Sequence, residues 1–177
     1  MGSSFIHLPD NTGFWARDGF VEAMQLCLID AIEAQPPAAA EPWLLAYKQR
    51  LALQALPLIY GGMSLELAEH LTTPARRALI CRLSEQIIRR IRHEPDYLTG
   101  PTLHRFRRRA MQLLWETGEL VFESQEDFQR VVDDSGWQHA AIQDVRPNYL
   151  HGFVLLNRLL KGRLHARVNS PIDYWPW

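Results

Sequence analysis

The stretch TPARRALICRLSEQIIRRIRHEP, residues 73–95, decides how the rest of the chain is read. Leu79, Leu83, Ile87 and Ile91 recur every four residues, with Ile80 and Ile88 beside them. Arg76, Arg77, Arg82, Glu85, Arg89 and Arg90 take the remaining face. This is the spacing of an amphipathic helix, opened by Thr73-Pro74 and stopped by Pro95.

The same period appears on both sides of it. Toward the N-terminus, Phe20, Ala23, Met24, Cys27, Leu28, Ala31 and Ile32 follow the i, i+3, i+4, i+7 series. Val21, Leu26 and Ile29 add apolar groups off that face, so this helix is predicted to be buried on more than one side. Asp18 is placed to cap it, and Pro36-Pro37 to end it. Pro42 opens a second helix with Trp43, Leu44, Tyr47, Leu51 and Leu56 inward; Pro57 and Gly61-Gly62 break the chain. A short helix is expected over 64–71. Toward the C-terminus, a helix starts near Pro101 with Leu103, Phe106, Ala110, Leu113 and Leu114 inward, and Thr117-Gly118 ends it. Ser124-Gln125-Glu126-Asp127 is a capping start for Phe128, Val131 and Val132. Pro147 opens a last helix with Leu150, Phe153, Val154 and Leu160 inward, which Gly162 closes. Residues 119–123 read equally as a strand or as a continuation of the helix before them.

No stretch alternates with a period of two, and no repeat recurs at a fixed spacing. The fold class expected is therefore all-α: a single helical domain, 1–177, of about six or seven helices. Residues 1–16, with Pro9, Asp10, Asn11 and Gly13, form an extended, turn-rich N-terminal arm. Residues 163–177 form an extended tail ending in Tyr174-Trp175-Pro176-Trp177, which either straps onto the core or meets a partner.

The 177 residues carry 19 basic and 20 acidic side chains, a net charge of -1. A composition 47% hydrophobic and 22% charged is that of a globular protein and excludes disordered and collagen-like chains. No apolar run approaches the ~18 residues of a membrane span, and the N-terminus lacks the pattern of a secretory signal. Ile6 stands where a myristoylation signal needs Ser or Thr. The two cysteines, Cys27 and Cys81, sit on apolar stripes and read as buried reduced thiols, as in a cytoplasmic protein.

The near-neutral total hides four blocks. Residues 1–75 carry 3 basic and 8 acidic groups; residues 76–109 carry 10 and 3; residues 110–144 carry 1 and 8; residues 145–177 carry 5 and 1. The two middle blocks have opposite sign and adjoin. They either compensate each other across neighbouring helices, with exposed pairs worth about 0–1 kcal/mol each, or turn outward as docking surfaces. An outward acidic block of Glu116, Glu119, Glu123, Glu126, Asp127, Asp133 and Asp134, with Trp137 beside it, suits a basic protein. An outward basic block of Arg105, Arg107, Arg108 and Arg109 suits phosphate. There are 17 arginines and two lysines. A GC-rich genome leaves that bias, and so does selection for guanidinium forks. The sequence pI of about 6.7 and the absence of a helix-turn-helix argue against nucleic acid as the partner.

Catalytic motifs are missing. No His-Glu-x-x-His, Glu-x-x-His, G-x-S-x-G, G-x-x-x-x-G-K-[ST] or G-x-G-x-x-G occurs among the 177 residues, and Glu66 with His70 is half a metal site at best. No catalytic residue, cofactor or metal is expected. What remains is a binding protein, with an arginine-led nucleic-acid regulator or a helical enzyme lacking a familiar motif as alternatives.

The absence of catalytic motifs, the cytosolic composition, the blockwise charge and the opening Gly13-Phe14-Trp15-Ala16-Arg17-Asp18 before a buried helix set the class. In these the chain resembles the small helical bacterial proteins that neutralise a co-encoded toxin: the immunity proteins of contact-dependent and type VI secretion systems. The resemblance is one of class and matches no motif residue by residue. It implies tight one-to-one binding to a toxin domain, with the toxin's active site covered.

Overall fold

The computed structural model describes residues 2–36, 41–55, 63–134, 136–140, 142 and 146–169. In it the helix read from residues 73–95 spans Pro74–His93 and is designated α4 below. The Thr73 hydroxyl accepts the Arg76 backbone N–H, and Pro74 occupies the first turn, where its missing N–H costs nothing. Ile80, Leu83, Ile87, Ile88 and Ile91 are buried.

Seven α-helices follow one another among the described residues. The first, α1, spans Asp18–Glu33 and lies at the centre: from Val21 to Ile32 every residue except Glu22 is buried. A helix apolar all round must be covered on all sides. Here α2 (Pro42–Gln54), α4, α5 (Gly100–Glu116) and α7 (Arg146–Leu160) all pack on it. The short α3 is Leu67–His70, and α6 is Gln125–Asp133. The expected starts hold at α5 and α6, where the Thr99 and Ser124 hydroxyls accept the Thr102 and Asp127 backbone N–H groups. At the end of α7, Gly162 takes a positive φ of 65°, and Arg163 donates its N–H back to the Arg158 carbonyl. Only glycine adopts that turn at no steric cost. A 3₁₀ turn, Trp137–His139, packs on the start of α5. Gly100 touches this turn so closely that a Cβ there would collide with the carbonyl oxygens of Trp137 and Ala140.

Three expectations need amendment. The N-terminal arm is folded back on itself. Strands β1 (Ser3–His7) and β2 (Gly13–Arg17) form an antiparallel hairpin in the register Ser3↔Arg17 to His7↔Gly13. Ser4, Ile6, Phe14 and Ala16 face inward. Alternation over five residues per strand is too short to stand out in sequence. Asp18 is the first helical residue rather than the cap; Arg17 holds the cap position without a side-chain bond. Asp18 instead ties α1 to β1, accepting the Ser4 hydroxyl at 2.8 Å and donating its N–H to the Gly2 carbonyl. Residues 119–123 are neither strand nor helix but a loop, held by the Leu120 N–H donating to the Leu114 carbonyl at 3.1 Å.

The C-terminal segment is described to residue 169 and lies along the hairpin. Gly13 donates its N–H to the Ala166 carbonyl, the Trp15 indole donates to the Val168 carbonyl, and Leu164 and Ala166 are buried. The aromatic ending, Tyr174 to Trp177, lies outside the described residues, as do Pro37, Leu56, Pro57 and Gly61-Gly62. Among the described residues, no helix is long and apolar enough to cross a membrane.

Candidate functional site: an acidic loop over an aromatic base

The charge blocks meet at α5, and the structure separates them residue by residue. The basic block does not form one outward face. Arg107 is 1% exposed. Its Nη1 donates to Glu22 Oε1 at 2.9 Å and to the Ala55 carbonyl at 3.1 Å, while its Nε and Nη2 are buried without partners. The Trp137 indole, on a residue 9% exposed, donates to the same Glu22 oxygen at 2.7 Å. Burial raises the Glu22 carboxyl above its ordinary range, against the pull of Trp137 and Arg107, and lowers the Arg107 guanidinium. Arg107 and Trp137, both expected on binding surfaces, are interior residues that join α1, α5 and the 3₁₀ turn. A signal was available for Arg107. It stands four residues after Leu103 and three before Ala110, on the apolar stripe of its own helix.

Arg109 is also engaged inward. It pairs with Asp30 and lies 3.7 Å from Glu33. Asp30, 9% exposed, takes Arg90 from α4 on its other oxygen at 2.8 Å. Arg90 continues to Glu94 and lies 3.9 Å from the Tyr97 ring centroid. Arg105 and Arg108 are exposed; Arg105 covers Phe106.

The acidic block stays outside. Glu116, Glu119, Glu123 and Glu126 are exposed along the end of α5, the following loop and the start of α6. Glu116 accepts from the Gln112 amide and Glu119 from the Gln49 amide, both neutral donors. No ion pair to a described residue involves any of the four. Asp127 pairs with Arg130 one turn along its own helix. Asp133 accepts from Gln129 at 2.9 Å and lies 3.4 Å from His104; Asp134 is exposed at the helix end.

This loop is stiffened from below. Trp115, Phe122 and Phe128 form a three-ring cluster with centroids 5.2–5.5 Å apart. Leu120 and Phe122 point back to the core, while Val121, 86% exposed, stands at the tip between Glu119 and Glu123. The loop thus presents an exposed apolar side chain and exposed carboxylates above an aromatic cluster.

The thiols offer a different environment. Burial pushes Cys27 up to about 12 and raises Cys81 as well, so neither is held as a thiolate near neutral pH. Among the described residues, no group of three His, Cys, Asp or Glu side chains could hold a metal ion. Comparison with protein-family models, with curated proteins and with solved structures found no match to this chain.

Proposed function

We propose that this protein is a binding module that neutralises a toxin domain in the cytoplasm by docking its acidic α5–α6 surface on that domain's basic active-site face. The supporting observation is the set of four carboxylates, Glu116, Glu119, Glu123 and Glu126. They line the end of α5, the following loop that carries the exposed Val121, and the start of α6, and lack a cationic partner among the described residues. Charge of this kind speeds encounter and selects the partner; the apolar contact and the arginine or aromatic anchors of the interface hold the complex.

The test is capture with the tagged protein in a lysate of its own organism, washed at about 0.5 M salt, where the Debye length is only about 4 Å. A single stoichiometric basic protein should be retained. It should be lost with Glu119→Lys/Glu123→Lys, and its expression alone should arrest growth that this protein restores. Retention of the partner by the charge-reversed variant rejects the acidic surface, and a partner harmless when expressed alone rejects the toxin.

A further inference from the structure

A second charged feature lies on the seam between α4 and α7. The two helices run antiparallel. Asn157 donates to Ser84 Oγ at 3.0 Å, Lys161 pairs with Glu85 at 2.6 Å, and at the other end Arg146 donates to the Ile91, Glu94 and Pro95 carbonyls. Between these ties the seam opens into a cleft of about 310 Å³. Its floor is apolar, Ile88 and Val154. Its walls carry Arg89 and Arg92 from α4 and Arg158 from α7. Asn157 and the Glu85 carboxylate close one end.

The three arginines are all exposed, and none makes an ion pair or side-chain hydrogen bond to a described residue. Their neighbour Arg90, one position along the same helix, is fully engaged by Asp30, Glu94 and Tyr97. Glu85, the one carboxylate of the cleft, pairs with Lys161, whose ammonium holds it below its ordinary range with smaller contributions from Asn157 and Arg89. Three like charges around one hollow repel each other, and an anion seated between them removes that repulsion. Guanidinium forks match the oxygens of phosphate in pairs, and an apolar floor strengthens the contact by excluding water. The ligand is bounded in size too. Glu85 interrupts the arginine row of α4, Arg82–Glu85–Arg89–Arg92, so a continuous phosphate chain laid along the seam would meet a carboxylate. A single terminal phosphate or diphosphate would not.

We propose that this cleft is a binding site for the terminal phosphate of a small ligand, a phosphomonoester or a diphosphate, gripped by Arg89, Arg92 and Arg158. This site is separate from the acidic loop and does not depend on the reading of that loop. Inorganic pyrophosphate is the probe, titrated calorimetrically into the full chain at low ionic strength. One site per chain is expected. The double substitution Arg89→Gln/Arg158→Gln should weaken binding by about tenfold or more, as loss of charge-assisted bonds does. Arg105→Gln/Arg108→Gln, on the other arginine helix, should leave it unchanged. The urea midpoint of each variant establishes that it is folded, and Arg92→Gln serves in place of a double variant that is not.

Absence of binding at about 1 mM pyrophosphate, or equal affinity in the Arg89/Arg158 variant, overturns the site. A short oligonucleotide without terminal phosphates forms the last arm. If it displaces pyrophosphate at equal or lower concentration, the small-ligand assignment is overturned in favour of a nucleic-acid backbone.

Discussion

The arginines that α4 and α5 turn toward α1 and those that α4 and α7 turn toward each other are the same side chain in two conditions. Arg107, Arg109 and Arg90 each find a carboxylate on α1: Glu22, Asp30 or Glu33. Arg89, Arg92 and Arg158 form no ion pair with a described carboxylate, and Arg89 feels only the longer-range field of Glu85. In the first group the charge is matched by a carboxylate of α1, fully buried at Arg107 and partly exposed at Arg90 and Arg109, and it ties α4 and α5 to α1. In the second it stays in water and is available to a ligand. Helix phase, not local charge density, decides which condition applies. Arg89 and Arg90 are adjacent in sequence, about 100° apart around the helix axis, and have opposite roles.

The largest effect that would break this comparison is expected at the buried pair. Arg107→Ala leaves the Glu22 carboxylate buried with only the Trp137 indole, and should lower unfolding stability by about 3–5 kcal/mol in urea. Glu22→Leu/Arg107→Leu should cost clearly less than the two single substitutions together, because neither charge is then left alone. A loss under about 1 kcal/mol for Arg107→Ala would show that the pair is not desolvated in solution.

Next is Asp30, shared by two arginines. Asp30→Asn keeps the shape, removes the charge, and should cost about 2–3 kcal/mol. Thermal unfolding of this variant beside Arg108→Gln, an exposed arginine without an ion pair to a described residue, sharpens the contrast.

The third effect depends on pH. Burial holds the Cys27 thiol protonated up to about 12, against an ordinary value of 9.0. The unfolded chain therefore releases this proton first as pH rises. Stability is fully present below about pH 9 and is lost between 9 and 12, at up to roughly 1.4 kcal/mol per pH unit. Urea midpoints from pH 7 to about 10.5 measure it, and Cys27→Ala should flatten the decline. A thiol reagent should modify Cys81 before Cys27 in the folded protein, since Cys27 is fully enclosed and Cys81 is partly exposed.

The smallest effects on stability belong to the open charges. Glu119→Lys/Glu123→Lys and Arg89→Gln/Arg158→Gln should each move the urea midpoint by no more than about 0.5 kcal/mol equivalent. A larger loss at either would place that region among the interior networks.

The helices were legible because their evidence is local. Thr73-Pro74 and Ser124 cap the helices they precede, Pro101 stands in the first turn of α5, and the Ile80, Leu83, Ile87, Ile91 stripe needs only the 3.6-residue period to be recognised. The acidic residues Glu116, Glu119, Glu123 and Glu126 were legible as a block, while their spacing left open whether the block faces outward or is compensated by neighbouring arginines; in the structure all four are exposed. Arg107 was misplaced because a charge on such a stripe was read by its type and not by its phase. Trp137 could not be placed from its surroundings at all. The partner that draws its indole inward, Glu22, is 115 residues away. The hairpin was hidden for a related reason, since a strand of five residues is stabilised by its pairing and by the α1 and C-terminal contacts, not by local propensity.

The sequence by itself thus determined the helical class, the starts of α4, α5 and α6, and the separation of charge into blocks, all of which follow from short-range spacing and capping chemistry. Only the tertiary structure decided which charges are matched inside and which remain open. Ion pairs such as Glu22–Arg107 and Asp30–Arg109 join residues 85 and 79 positions apart. Whether a guanidinium is desolvated or free depends on the helix packed against it, and that packing is a property of the whole chain.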